Sequence, residues 1–170
     1  MTESKPNETS VDQTIMGLPV QKTPSGQKVV FSDVSSYHKL VEHLFDDGFN
    51  FASDLCGVDY LTNINRKLPD AISPERFEVV LNLLSHGRKE RIRVRAMIPE
   101  SDPTIPTIVD VYPGVENMER EAFDMFGIIF KGHPDLTRIL LPEGWEGHPL
   151  RKDYSTGRVP VQFKETLGPR

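Results

Sequence analysis

The chain has 170 residues, 37% hydrophobic and 26% charged, with one cysteine and a net charge of −5, and its mean hydropathy is −0.39. That length supports one hydrophobic core rather than two, no apolar run approaches the roughly 20 residues that span a bilayer, and the lone Cys56 excludes an internal disulfide. It also excludes an iron-sulfur cluster held by this chain alone, which needs about four thiolates.

The charge is unevenly spread. Residues 131–170 carry seven Lys/Arg against five Asp/Glu, a balance of +2, which leaves −7 on residues 1–130. A basic segment on an acidic body points to docking on an acidic protein surface, and no nucleic-acid partner is expected, because that needs a stronger basic footprint. The opening MTESKPNETSVDQT has neither a basic n-region nor an apolar h-region, so a secretory signal is not expected and a reducing compartment is.

Residues 1–27 are polar and interrupted by Pro6, Pro19, Pro24 and Gly26, the composition of a disordered tail. An α/β domain is predicted over residues 28–130. Lys28 to Phe31 reads as a first strand, and Ser32 or Asp33 caps a helix from Val34 to Asp47, with Val34, Tyr37, Val41, Leu44 and Phe45 on one face and Gly48 at its end. His38 and His43, five apart, do not share a face and are expected in solvent. A strand is expected within Phe49 to Tyr60. Alternation then predicts a hairpin of Arg76–Leu84 and Glu90–Ile98, with Phe77, Val79, Leu81 and Leu83 on one face and Arg91, Arg93 and Arg95 on the opposite one. The arginines read as the outer face of a half-buried strand rather than a nucleic-acid stripe, since no aromatics are interleaved with them. Thr107 to Val111 is expected to be a further strand.

A charged helix over residues 117–126 follows, capped by Asn117 and closed by Gly127. Met118, Ala122, Met125 and Phe126 form its apolar arc, Glu119 and Glu121 flank the arc, and Arg120 faces away, within reach of Glu116 and Asp124. An acid/base pair or a di-metal site would need a cleft or Glu-x-x-His spacing that is missing, so carboxylates satisfied by arginines or backbone N–H groups fit better. His133 and His148 each sit in a Gly-His-Pro triplet. A zinc site with Asp135, Glu143 and Glu146 can be drawn only by free choice among acids, whereas two shaped turns need no such choice. No phosphate loop, nucleophile elbow or Cys-His pair occurs. Leu136, Ile139, Leu140, Leu141 and Trp145 are too many apolar residues for a free tail.

The words Glu119-Arg120-Glu121, Asp124-Met125-Phe126-Gly127-Ile128, Gly132-His133-Pro134-Asp135-Leu136 and Arg138-Ile139-Leu140 occur in close succession, and the chain runs on without a gap from Leu141 through Trp145, His148, Arg151, Lys152 and Asp153 to Tyr154. Together they resemble the signature of the C-type subunit of the proton-pumping NADH:quinone oxidoreductase, respiratory complex I. Asn117, where many relatives have an aromatic, and Thr137, where arginine or lysine is common, depart from it. The resemblance implies an α+β fold: a two-layer α/β sandwich with a mixed or antiparallel sheet, and residues 131–170 as an extended partner-binding arm. It implies a non-catalytic subunit that binds no cofactor itself, while FMN, Fe-S clusters and quinone lie in partner subunits. The implied partners are the D-type, quinone-site subunit and neighbouring Fe-S subunits, at the cytoplasmic side of the bacterial inner membrane. Glu119, Arg120, Glu121, Asp124, His133, Arg138, Trp145, His148, Arg151, Lys152, Asp153 and Tyr154 are then subunit-interface residues. The alternatives are the equivalent subunit of a membrane-bound hydrogenase or other-donor dehydrogenase, and a free-standing enzyme using Glu119 and Glu121.

Overall fold

Alternation of apolar and polar residues builds a sheet, and two amphipathic helices close one side of it. The computed structural model describes residues 13–155. In chain order these form β1 (Gln13–Ile15), β2 (Leu18–Lys22), β3 (Lys28–Ser32), α1 (Val34–Asp46), β4 (Phe51–Asp59), β5 (Phe77–Ser85), β6 (Glu90–Ile98), β7 (Thr104–Pro106), a 3-10 turn at Pro113–Val115, α2 (Glu116–Phe126) and β8 (Ile129–Lys131). Six strands make a mixed sheet in the order β1-β2-β3-β6-β5-β4, and β7 and β8 make a separate parallel pair. Only β3 and β6 run parallel in the large sheet. The architecture is α+β, as the sequence predicts.

The strand periodicity decides the two faces. Phe77, Val79, Leu81 and Leu83 of β5 lie in register with Ile98, Ala96, Val94 and Ile92 of β6, and all eight are buried. Tyr37, Leu40, Val41 and Leu44 of α1 and Ala122 of α2 pack on that inner face. Asp33 caps α1 by accepting the Ser36 N–H at 2.8 Å, so the cap is Asp33 and not Ser32. The outer face has a smaller cluster of Val29, Phe31 and Met97, covered by Leu68 and Ile72.

Four expectations are corrected. Residues 13–22 are not a disordered tail: Met16 and Gly17, with φ of 53° and 79°, form a two-residue turn of the kind that matches strand twist, and Val20 buries itself opposite Val30. Residues 1–12 lie outside the described part. Thr107 to Val111 is not a strand. The pairing falls three residues earlier, at Thr104–Pro106, because the following residues bend around a carboxylate of α2. His38 is not free in solvent but bonds Asp110 at 2.9 Å. Residues 131–155, expected to extend away, fold back along α2 and β4; Lys131 closes β8 and the rest have no helix or strand.

Gly57 of β4 sets the distance between α2 and the sheet. A Cβ there would stand 2.7 Å from Cδ2 of Phe126, so the ring lies directly on the strand backbone. Gly57→Val should force the helix outward and destabilise the fold by about 1–3 kcal/mol, read as a lowered urea midpoint.

Candidate functional site

The eleven-residue helix α2 buries two carboxylates completely, those of Glu119 and Asp124. A buried charge is tolerated only when hydrogen-bonded or paired, and each of these organises a separate stretch of chain. The helix starts after the 3-10 turn with Val115 at the N-cap, not Asn117, whose Oδ1 instead accepts from Arg120 Nη1 at 3.3 Å inside the first turn. It ends at Gly127, whose φ of 72° is the left-handed closure glycine favours.

Glu119 accepts the Ile108 N–H at 2.9 Å and the Thr107 hydroxyl at 2.5 Å, which gathers the turn after β7. Burial pushes its carboxyl above the ordinary range, against the opposing pull of Thr107, the Ile108 N–H and the nearby His133. His133 lies 3.9 Å away and is equally buried. Its Nδ1 accepts the Asp135 N–H at 3.1 Å, so Nε2 carries the proton and donates to the Glu116 carbonyl at 3.1 Å. The first Gly-His-Pro triplet is therefore a shaped turn locked to the start of α2.

Asp124 gathers the next stretch. Its Oδ2 accepts the N–H groups of Ile139, Leu140 and Leu141 at 3.1, 2.8 and 2.9 Å, and its Oδ1 accepts Arg138 Nη1 at 2.6 Å. Burial pushes this carboxyl up, but the Leu141 N–H, the Arg138 guanidinium and the other two N–H groups outweigh it and hold it below the ordinary value. Arg138 continues to the carbonyls of Trp145 and Gly147 at 2.9 and 3.2 Å, closing residues 138–147 into a loop around one guanidinium.

A helix leaves its last four carbonyls without intrahelical partners. Here Phe123 O accepts the Gly127 N–H at 2.8 Å, Asp124 O accepts His148 Nδ1–H at 2.9 Å, Met125 O accepts the Leu150 N–H at 3.1 Å and Phe126 O accepts Arg151 Nε–H at 2.7 Å. Three of the four are capped by the second Gly-His-Pro triplet and the two residues that follow it, and the Arg151 cation suits the negative end of the helix dipole. Burial and then the charges of Arg151 and Arg138 hold the His148 imidazole below its ordinary pKa, against the pull of its bond to Asp124.

The end of the segment is fixed to the sheet. Asp59, at the buried end of β4, accepts Arg76 Nε and Nη2 at 3.1 and 2.9 Å, the Leu61 N–H at 2.9 Å and the Lys152 N–H at 2.8 Å. Arg76 also pairs with Asp153 at 2.8 Å and Glu100 at 2.5 Å. The Asp59 bond raises the Arg76 pKa further, and burial of Asp59 is outweighed by Arg76 and the Lys152 N–H, so its carboxyl stays below the ordinary range. Arg76 and Arg151 both lie over the Phe77 ring, at 4.8 and 5.0 Å from its centre. Tyr154 packs on Gly147, where a Cβ would come within 2.8 Å of its ring.

Apart from the exposed Glu121, the interface residues predicted from sequence thus make contacts within the chain. Arg120 pairs with neither Glu116 nor Asp124; it donates to the Thr137 and Arg138 carbonyls at 3.1 Å and to Thr137 Oγ1 at 2.9 Å. Glu119 is buried and Glu121 exposed, so the two do not share a site and the free-standing carboxylate enzyme has no geometry to support it. Among the described residues no group of His, Cys, Asp and Glu could hold a metal ion. Sequence reasoning does not find Asp59 and Arg76 as anchors. A signal for Asp59 exists: strand alternation puts it on the same face as Leu55 and Gly57, a charge on a core face.

An α+β domain that uses its buried charges to hold its own C-terminal segment, with apolar side chains left outside, is the make-up of a subunit in a larger assembly. Residues 30–159 match the family model of the respiratory-chain NADH dehydrogenase 30 kDa subunit. The chain belongs to that family, the C-type subunits of complex I. It is 43% identical over 154 residues to NADH-quinone oxidoreductase subunit 5 of Thermus thermophilus, covering 88% of this chain and 72% of that one. The C-type NADH-quinone oxidoreductase subunit of Roseiflexus sp. is 49% identical over 115 residues, 68% of this chain and 60% of its own length. The solved trypsin-resistant fragment (1–134) of Nqo5 superposes with a TM-score of 0.62 at 39% identity, over 71% of this chain and 91% of that one. A chain of a membrane-bound sulfane sulfur reductase, an archaeal respiratory membrane complex, shares the fold with a TM-score of 0.63 at 20% identity over 83% of each chain. Among the described residues no helix is long and apolar enough to cross a membrane.

Asp124→Ala should leave three N–H groups unpaired and Arg138 without its counter-charge, costing about 3 kcal/mol, and should speed proteolysis within residues 131–155. Because the folded pKa values of Asp124 and Asp59 lie below the ordinary 3.8, their contribution is complete above 3.8 and is lost as pH falls through the folded values. Proteolysis of the segment should therefore accelerate on acidification below 3.8, and Asp124→Asn should remove part of that dependence.

Proposed function

We propose that this chain is a non-catalytic subunit of the peripheral arm of NADH:quinone oxidoreductase. In this reading it supports electron transfer from NADH, through FMN and Fe-S clusters held by partner subunits, to quinone, coupled to proton translocation. Its partners are the D-type, quinone-site subunit and neighbouring Fe-S subunits, at the cytoplasmic side of the bacterial inner membrane. The chain itself supplies no cofactor ligand and no acid or base.

One observation carries this reading. Asp124 draws the N–H groups of Ile139, Leu140 and Leu141 inward, and the side chains of Ile139 and Leu140 remain 38% and 61% exposed, with Leu150 at 48%. An apolar band presented by a rigid, charge-pinned backbone is preorganised for a partner surface, since little ordering entropy is left to lose on docking. The mechanism is positional: the segment holds a neighbouring subunit in place, and the ionic contacts behind it keep the segment in shape.

Leu140→Asp separates docking from folding. The side chain is exposed, so isolated-chain stability should change by no more than about 0.5 kcal/mol, while a charge in the interface should weaken assembly by at least about 2 kcal/mol. The expected result is loss of co-purifying subunits and of quinone reductase activity from membranes. Full assembly of the Leu140→Asp complex, or activity in the isolated chain, would overturn the reading.

A further inference from the structure

The docking segment lies on the helix side of the molecule, yet the opposite face of the sheet is also unusual. Arg91, Arg93 and Arg95 stand at alternate positions of β6, and side chains two apart along a strand lie on one face about 6.8 Å apart. Two open grooves, of about 660 Å³ and 380 Å³, meet on this face, and Arg93 lines both. Lys22 and Arg95 line the smaller, Arg91 and Lys89 the larger.

The carboxylates on hand do not balance these cations. Glu78 is completely buried beneath the row and is shared by two guanidiniums, Arg66 at 2.5 Å and Arg95 at 2.7 Å. Arg66 Nη1 is buried with no hydrogen-bond acceptor among the described residues. Arg93 is oriented by the neutral Asn82, whose Oδ1 accepts its Nε–H at 2.8 Å, and the Asn82 amide in turn donates to Asp54 at 3.3 Å, the one carboxylate that β4 adds to this face. Glu90 pairs with Lys28 at 3.4 Å. On a chain of net charge −5 the face is a segregated basic row with an unneutralised excess.

We propose that this outer face is a second docking surface and that its occupant is an extended acidic peptide segment of a neighbouring protein, with carboxylates at alternate residues. A strand-like peptide repeats its side chains on one face at the same spacing as the arginine row, so carboxylates and guanidiniums can pair one to one. A nucleic-acid strand would also offer regular anions, but binders of single strands stack bases on open aromatics, and the two aromatics of the smaller groove are taken: Phe31 is buried and Tyr60 carries the Arg66 guanidinium 3.7 Å above its ring.

The test measures fluorescence anisotropy of a labelled peptide of alternating glutamate and threonine with the full chain at low salt. Saturable binding is expected, lost as salt rises, and weakened at least about tenfold by the double variant Arg91→Glu/Arg93→Glu. Lys39→Glu, exposed on α1 on the other side of the sheet, should leave it unchanged. If the double variant does not fold, Arg91→Glu alone, at an exposed position, gives the same comparison. No saturable binding, equal binding by the charge-reversed chain, or tighter binding of a labelled oligothymidylate would each overturn the proposal. Because neither position touches the C-terminal segment, Leu140→Asp should not change this binding.

Discussion

The carboxylate of Asp124 is the constraint on which the rest of the site depends. It sits in the last turn of α2, completely buried, where an unpaired charge would not be tolerated. Its partners come from Arg138 and three successive N–H groups, so the first part of a segment with no regular hydrogen bonding of its own is gathered around one carboxylate. The same turn offers its orphan carbonyls to His148, Leu150 and Arg151. Helix end and segment thus satisfy each other's unmet polar groups, and neither would be stable in that form alone.

Two further contacts turn this pairing into a rigid presentation. Gly57 lets Phe126 lie on the backbone of β4, which fixes the helix against the sheet. Asp59 and Arg76 then take the far end of the segment through Lys152 and Asp153. A chain held at the helix and again at the sheet edge has little freedom between those points. That is why Ile139, Leu140 and Leu150 stay outward despite the favourable burial of apolar surface.

The two faces of the sheet use charge differently. On the helix side almost every buried ionisable group has a complete set of partners, and the surface left for contact is apolar. On the outer side one buried glutamate serves two arginines and a row of cations is left facing open grooves. One face offers shape and apolar area, which favour affinity, and the other offers charge, which favours register and encounter.

Local rules read from the sequence determined the elements that repeat. The period-2 pattern of β5 and β6 and the Gly127 closure are each set within a few residues of chain, where sterics and alternation act directly. The α+β class and the family were legible for the same reason, because unusual words such as the two Gly-His-Pro triplets are themselves local. What only the tertiary structure decided are the pairings across long stretches of chain. Arg120 turned to carbonyls 17 and 18 residues on rather than to Glu116 or Asp124, residues 13–22 became strands because Val30 was there to receive Val20, and Asp59 met Lys152 across 93 positions. A buried charge takes whichever donors the packed chain brings within reach, and sequence spacing carries no record of that distance.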